Sequence, residues 1–166
     1  MIKAKKSLGQ NFLTDKSILE KVSNSTIIEN KNVLEIGPGT GNLTAYILKK
    51  KPKKLIVIEK DNELSNDLKK KFNSQLKIIN EDVLKIDETT LFNDKVTVFG
   101  NLPYNISTEI LSKWIINVKE NFWFECLILM FQKEVADRII AEFSNYSVCN
   151  FFLKHKHQTI KPKIIR

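Results

Sequence analysis

Arginine is almost missing from this chain. Of 27 basic residues only Arg138 and Arg166 are arginine, so the net charge of +8 rests on lysine rather than on the planar fork suited to bidentate phosphate contacts. The charge permits a polyanionic partner without diagnosing one, because the accompanying abundance of Ile and Asn points to base composition as an alternative source. Cysteine is scarce too. Cys126 and Cys149 lie in apolar surroundings without metal-ligand spacing, which reads as two reduced thiols and not a disulfide framework. Neither His155 nor His157 has a Cys or a second His at a zinc-site distance, so no metal is expected. No apolar run reaches the roughly 18 residues of a membrane span. The basic start, Met1 to Gln10, lacks the apolar core of a secretory signal and the arginines of an organellar leader. These absences point to a cytoplasmic protein, and 166 residues suffice for one domain with a real core.

Glycine is also rare, at five residues, yet Gly37, Gly39 and Gly41 all fall at the end of one stretch, Asn32-Val-Leu-Glu-Ile-Gly-Pro-Gly-Thr-Gly41. The apolar run Val33 to Ile36 reads as a buried strand. After the glycines, Asn42-Leu-Thr-Ala-Tyr-Ile-Leu-Lys has helical spacing. A strand turning on glycines into a helix brings backbone close to a ligand and points free N–H groups at it, which makes a nucleotide cradle. The spacing is G-x-G-x-G, not the G-x-G-x-x-G of dinucleotide sites. Glu35, just ahead of the first glycine, would repel a pyrophosphate but welcome an ammonium or sulfonium. The cradle therefore leans toward S-adenosylmethionine. Glu59 closes a second apolar run, Leu55 to Ile58, and is the acid expected on the ribose hydroxyls; a nicotinamide cofactor would use such an acid too.

Further strands read at Leu76–Asn80, Lys95–Phe99 and Phe124–Phe131, the last so apolar that both its faces should be covered. Helices read at Thr14–Ser23, capped by Thr14 or Asp15, at Glu63–Phe72, at Thr108–Ile116 with Ser107 as cap, and at Gln132–Glu142. Strands alternating with helices make an α/β fold with a parallel sheet wound on both sides and ligands at the strands' carboxyl ends. Glu35 to Gly41, Glu59, Asp82, Asn101 to Tyr104 and Phe131 all fall at those ends.

Asn101-Leu102-Pro103-Tyr104 suits a nucleobase with an exocyclic amine. The Asn101 side-chain oxygen and the Leu102 carbonyl could accept the two amine hydrogens. Pro103 stiffens the turn without needing a donor, and Tyr104 offers a stacking face. Two acceptors that hold the amine out of the ring plane localise its lone pair toward a methyl donor, so orientation supplies most of the rate without a strong base. The base must be unpaired or flipped. Phe131 could stack on its other face, although a Phe at a strand end is ordinarily core.

GQNFL at 9–13, EIGPGTG at 35–41, IEKD around Glu59, Glu81-Asp82, NLPYNIS at 101–107 and FQKEVADRI at 131–139 together resemble the rRNA adenine N6,N6-dimethyltransferases of the kasugamycin-resistance type. The resemblance covers residues 7 to about 142. It implies a class I S-adenosylmethionine-dependent, Rossmann-like methyltransferase domain over 1–142. In it Gln10, Asn11 and Leu13 close over the methionine end, Gly37, Gly39 and Gly41 form the cradle, and Glu59 takes the ribose. Asp82 meets the cofactor's adenine amine and Val83 its ring. Asn101, Leu102, Pro103 and Tyr104 position the target adenine, with Phe131 supporting it. The implied partner is small-subunit rRNA or the immature 30S subunit, dimethylated near its 3′ end; the alternative is a non-catalytic remnant that binds cofactor or RNA.

Residues 143–166 depart from the pattern. The resemblance leads one to expect a small C-terminal helical domain, and in its place stands a divergent tail. The expectation is an exposed edge on the fifth strand and self-association, unless Val148 to Leu153 covers it.

Overall fold

The computed structural model describes residues 5, 10–103, 105–116 and 122–144. Tyr104 and the tail beyond 144, including Val148 to Leu153, lie outside the described residues. Chain order runs α1 (Lys16–Ser23), β1 (Asn32–Ile36), α2 (Asn42–Lys49), β2 (Lys54–Ile58), α3 (Asn62–Phe72), β3 (Lys77–Ile79), β4 (Val96–Asn101), α4 (Ser107–Ile116), β5 (Phe124–Met130) and α5 (Lys133–Ser144). The five strands pair in parallel in the order β3-β2-β1-β4-β5. Crossing from β3 to β4 reverses the direction of strand addition, and such a switch point opens a crevice above the carboxyl ends of the central strands. The glycine stretch and the Asn101 motif leave neighbouring strands there, since Ile36 pairs with Gly100.

Alternate side chains of the central strands feed two cores. Val33, Leu55, Val57 and Phe99 pack with Leu19, Leu43, Ile47, Leu68 and Phe72 on the face of α1 to α3. Leu34, Ile36, Ile56, Ile58 and Val98 pack with Val83, Ile110, Trp114 and Phe122 on the other. Full burial of each such aliphatic contributes about 1.5–3 kcal/mol, and only a strand covered on both faces can bury its whole run.

Helix starts follow capping chemistry. Asp15 accepts from the backbone N–H groups of Ser17 and Ile18 at 2.8 and 3.1 Å and caps α1. Asp61 does the same for α3 through Glu63 and Leu64 at 2.9 and 3.2 Å. Ser107 is the first residue of α4 and not its cap. Helix ends shift by one or two residues from the sequence reading, and three strands differ in ways that bear on the crevice and the sheet edge. β3 shrinks to three residues. β4 runs on through Gly100 and Asn101, which fixes Asn101 on the sheet instead of a loop. β5 stops at Met130. Cys126 to Met130 are half-buried, not covered on both faces, because β5 is the sheet's edge among the described residues. No helix among the described residues is long and apolar enough to cross a membrane.

Candidate active site

The crevice at the switch point has an apolar floor of Ile36, Ile58, Leu64 and Val83. Its rim is polar: Gln10, Asn11, Glu59, Lys60, Glu81, Asp82, Asn101 and Asn105. Its open space, counted to the mouth and including solvent, is about 830 Å³. A smaller hollow continues beneath it past Asn11, Phe12, Leu13, Glu35, Gly37 and Asn101.

The glycines divide their work. Gly37, Gly39 and Gly41 all take left-handed φ, at 64°, 57° and 74°, a conformation that costs other residues about 1–2 kcal/mol. Gly37 and Gly39 line the crevice. A Cβ on Gly39 would come within 3.0 Å of the Phe12 ring, which lies over the loop. Gly41 faces away from the crevice. Its absent Cβ would stand 2.5 Å from Phe72 and 2.7 Å from Leu68, so it is glycine because the start of α2 approaches these two side chains of α3 and takes a left-handed φ.

Glu59 pins this loop. One carboxylate oxygen accepts from the Gly39 N–H at 3.0 Å and the other from the Asp61 N–H at 2.9 Å. Burial pushes its pKa up, and those two N–H bonds hold it back. Replacing Glu59 by alanine orphans the buried Asp61 N–H, at about 1–3 kcal/mol, and frees the half-buried Gly39 N–H. The Gly39 amide should then exchange its hydrogen markedly faster in Glu59→Ala; unchanged protection would show that the loop holds its shape without Glu59.

Asp82 begins the short turn Val83–Lys85, accepting from Leu84 N–H at 3.0 Å and pairing with Lys60 Nζ at 2.7 Å. Lys60 holds its carboxyl below the usual range. Val83 is buried beside it and lines the crevice floor.

Glu35 is 1% exposed, and its Oε2 has no hydrogen-bond partner among the described residues. Desolvation raises its pKa to about 8. The dipole of the neighbouring Thr44 hydroxyl opposes the rise without a hydrogen bond of good geometry, since Thr44 Oγ1 is unpartnered too. Nearby Glu59 adds to the rise.

The segment Gln10 to Leu13 straps across the mouth. Gln10 Nε2 donates to Asp61 Oδ2 at 3.3 Å, and Lys5 Nζ pairs with the same oxygen at 2.7 Å. At the other end Asn101 Nδ2 donates to the Asn11 carbonyl at 2.7 Å, and Asn42 Nδ2 to the Leu13 carbonyl at 2.8 Å. Pro103 lines the crevice, whereas the Leu102 side chain is buried in the core and only its backbone can face a ligand. Phe131 lies just past β5, packed against the second core and outside the crevice lining. Of the expected site residues, then, Gly41 and Phe131 stand away from the crevice, Leu13 and Glu35 line only the hollow beneath it, and Tyr104 is outside the described residues. Sequence reasoning passed over Asp61 and Lys60, although both stand in the IEKD stretch beside Glu59.

A family profile described as ribosomal RNA adenine dimethylase matches residues 1–159. The chain belongs to the ribosomal RNA adenine dimethylase family. It is 68% identical over 144 residues to ribosomal RNA small subunit methyltransferase A of Pelagibacter ubique (strain HTCC1062), covering 87% of this chain and 55% of that protein. The protein of the same name from Wolbachia sp. subsp. Drosophila simulans (strain wRi) is 47% identical, with 85% and 52% covered. Among solved structures, a dimethyladenosine transferase from Plasmodium falciparum superposes with a TM-score of 0.68 at 35% identity, covering 82% of this chain and 50% of that one. The chain thus spans about half the length of the relatives it matches. The fold of this family member is that of the class I S-adenosylmethionine-dependent methyltransferases.

The residues present fit that cofactor. A buried, unpartnered carboxyl oxygen at Glu35 beside the hollow suits an amino acid's ammonium. Gly39 stands where a side chain would crowd the Phe12 ring of the strap. Acids on an apolar floor suit a nucleoside's hydroxyls and amine.

Proposed function

We propose that this chain carries the catalytic site of a cytoplasmic S-adenosylmethionine-dependent enzyme that dimethylates N6 of adenines near the 3′ end of small-subunit rRNA, acting on the immature 30S subunit. The observation that carries the reading is the place of Asn101. It ends β4, with its carbonyl oxygen 3.8 Å from where a Gly37 Cβ would stand and its side chain tied to the Asn11 carbonyl at 2.7 Å.

The bound cofactor supplies an electrophilic methyl group on a sulfonium. Gln10, Asn11 and Leu13 close over its methionine end, with Glu35, Gly37 and Gly39 beneath. Glu59 accepts from the ribose hydroxyls, Asp82 from the cofactor's adenine amine, and Val83 packs on that ring.

With Asn101 Nδ2 engaged by the strap, its Oδ1 is the atom left to accept from the target amine. The Leu102 carbonyl accepts the second hydrogen, Pro103 fixes the turn and Tyr104 stacks on the base. Because both acceptors are neutral, the amine is oriented and its lone pair localised without being deprotonated beforehand. Each transfer leaves the nitrogen cationic, and it then gives a proton to solvent at the open crevice; after the first, a single N–H remains, which one acceptor can still hold for the second.

The test is transfer of labelled methyl groups to unmethylated 30S particles. Incorporation should appear as N6,N6-dimethyladenosine near the 3′ end of the rRNA, and Asn101→Ala should lower it on the order of 100-fold through lost orientation. No incorporation by the wild-type chain, or an undiminished rate in Asn101→Ala, would contradict the reading.

A further inference from the structure

On the face of the sheet that α4 covers, one lysine does work that neither the motifs nor the cofactor account for. Lys113 lies in the second half of α4, and its ammonium donates to the Val83 carbonyl at 2.8 Å, to the Ile86 carbonyl, and to both Glu88 carboxylate oxygens at 2.9 Å. Trp114 Nε1 donates to Glu88 Oε1 at 2.8 Å. Side-chain exposure is 21% for Lys113 and 4% for Glu88. Trp114 is itself buried, with the Trp123 ring edge-on at 5.6 Å.

A buried ion pair is a poor way to add stability, since desolvating both charges offsets most of their attraction. What it does supply is fixed geometry, because every partner has to be in place at once. The carbonyls it holds belong to the segment that starts with Asp82 and Val83, one wall of the crevice. The helix that carries Lys113 starts directly after Pro103, Asn105 and Ile106, the opposite wall. Ile106 N–H donates to the Pro103 carbonyl and Ile110 N–H to the Ile106 carbonyl, at 3.1 and 2.9 Å, so that wall is continuous with α4.

We infer that Lys113, neutralised by Glu88, is a positioning residue that sets the distance between the wall assigned to the cofactor's adenosine end and the wall assigned to the target base. The inference rests on the function proposed above. Lys113 touches neither ligand. It acts through the Val83 and Ile86 carbonyls, and Trp114 keeps Glu88 aimed at it.

The test compares the wild-type chain with Lys113→Met, Lys113→Arg and the double variant Glu88→Gln/Lys113→Met, which leaves no buried charge behind if Lys113→Met alone fails to fold. Two quantities are read: amide exchange at Leu84, Lys85 and Ile86 in the ligand-free chain, and calorimetric affinity for S-adenosylhomocysteine and for adenosine. The double variant should exchange at those three amides at least tenfold faster while the amides of β1 and β2 keep their protection. Both ligands should weaken by the same factor, on the order of tenfold, since the loss falls on their common nucleoside end. Lys113→Arg should restore most of the affinity. A double variant with wild-type exchange at 84–86, or with wild-type affinity for both ligands, overturns the inference. A loss of protection spread evenly through the sheet also overturns it, because Lys113 would then be a stability residue only. If the wild-type chain binds no S-adenosylhomocysteine, the parent reading falls and the inference falls with it, an outcome recognisable before any variant is made.

Discussion

Gly41→Ala is expected to destabilise the chain by about 2–5 kcal/mol, more than any other single methyl group added to the glycine loop. Two costs combine. A left-handed φ of 74° strains any residue with a Cβ by about 1–2 kcal/mol. The new methyl would also meet Phe72 at 2.5 Å and Leu68 at 2.7 Å, and overpacking of a filled core costs about 1–3 kcal/mol. Neither partner can retreat readily, because Leu68 and Phe72 are both buried in the core shared by α2 and α3. Gly37→Ala is the natural control. Its φ is left-handed as well, but its Cβ would meet only the Asn101 carbonyl oxygen, at the ordinary distance of 3.8 Å. It should lose about 1–2 kcal/mol from backbone strain while placing a methyl in the crevice. Urea denaturation of both variants checks the pair. Equal losses would mean that Gly41 serves the turn alone and not the close approach to Phe72 and Leu68.

Stability should fall as pH rises from about 5 to 8, and Glu35→Gln should abolish most of that slope. Below its ordinary value of 4.5 the Glu35 carboxyl is protonated in both folded and unfolded chains; its folded pKa is raised to about 8. Between those limits only the folded chain holds the proton, so the unfolded state gains by releasing it. Each unit of pH in that window removes up to about 1.4 kcal/mol of stability, and above about pH 8 the curve flattens. Glu59, also raised by burial, adds a slope of the same sign. Asp61 and Asp82 are lowered, so the stability they contribute is lost only in acid, as pH falls through their folded values. Chemical denaturation at pH 5 and pH 8 separates the cases. Parallel slopes in wild type and Glu35→Gln would show that Glu35 ionises freely in the folded chain. The same carboxyl gives ligand binding a proton signature, because an ammonium seated beside it favours its ionised form. Titration with S-adenosylhomocysteine at pH 7 in buffers of different ionisation enthalpy should therefore detect proton release.

What the sequence makes legible here is what parallel sheets write locally. Leu55 to Ile58 is apolar throughout because both its faces are covered, Val33 to Ile36 and Val96 to Phe99 are broken only by Glu35 and Thr97, and Glu59, Asp82 and Asn101 fall at or just past the carboxyl ends of β2, β3 and β4. Glu59, Asp82 and Asn101 could be placed together on that ground alone. Contacts that close only in three dimensions were not legible. Gly41 looks like a third cradle glycine until Phe72 and Leu68 are seen against it. Lys113 looks like a solvated face of an amphipathic helix until Glu88, 25 residues away in sequence, accepts from it. Asp61, passed over in the sequence, caps α3 with one oxygen, and its second oxygen holds Lys5 and Gln10 and so anchors the strap. Phe131 was drawn toward the site by its position at a strand end, whereas the edge placement of β5 turns it onto the second core.

The central claim is that the crevice between the glycine loop, Glu59, Asp82 and Asn101 holds an S-adenosyl cofactor. Calorimetric titration of the chain with S-adenosylhomocysteine, and separately with NAD, tests it most directly. One S-adenosylhomocysteine should bind per chain, with little or no NAD, and the S-adenosylhomocysteine signal should be lost in Glu59→Ala. Preferential binding of NAD, or an S-adenosylhomocysteine affinity untouched by Glu59→Ala, would contradict it.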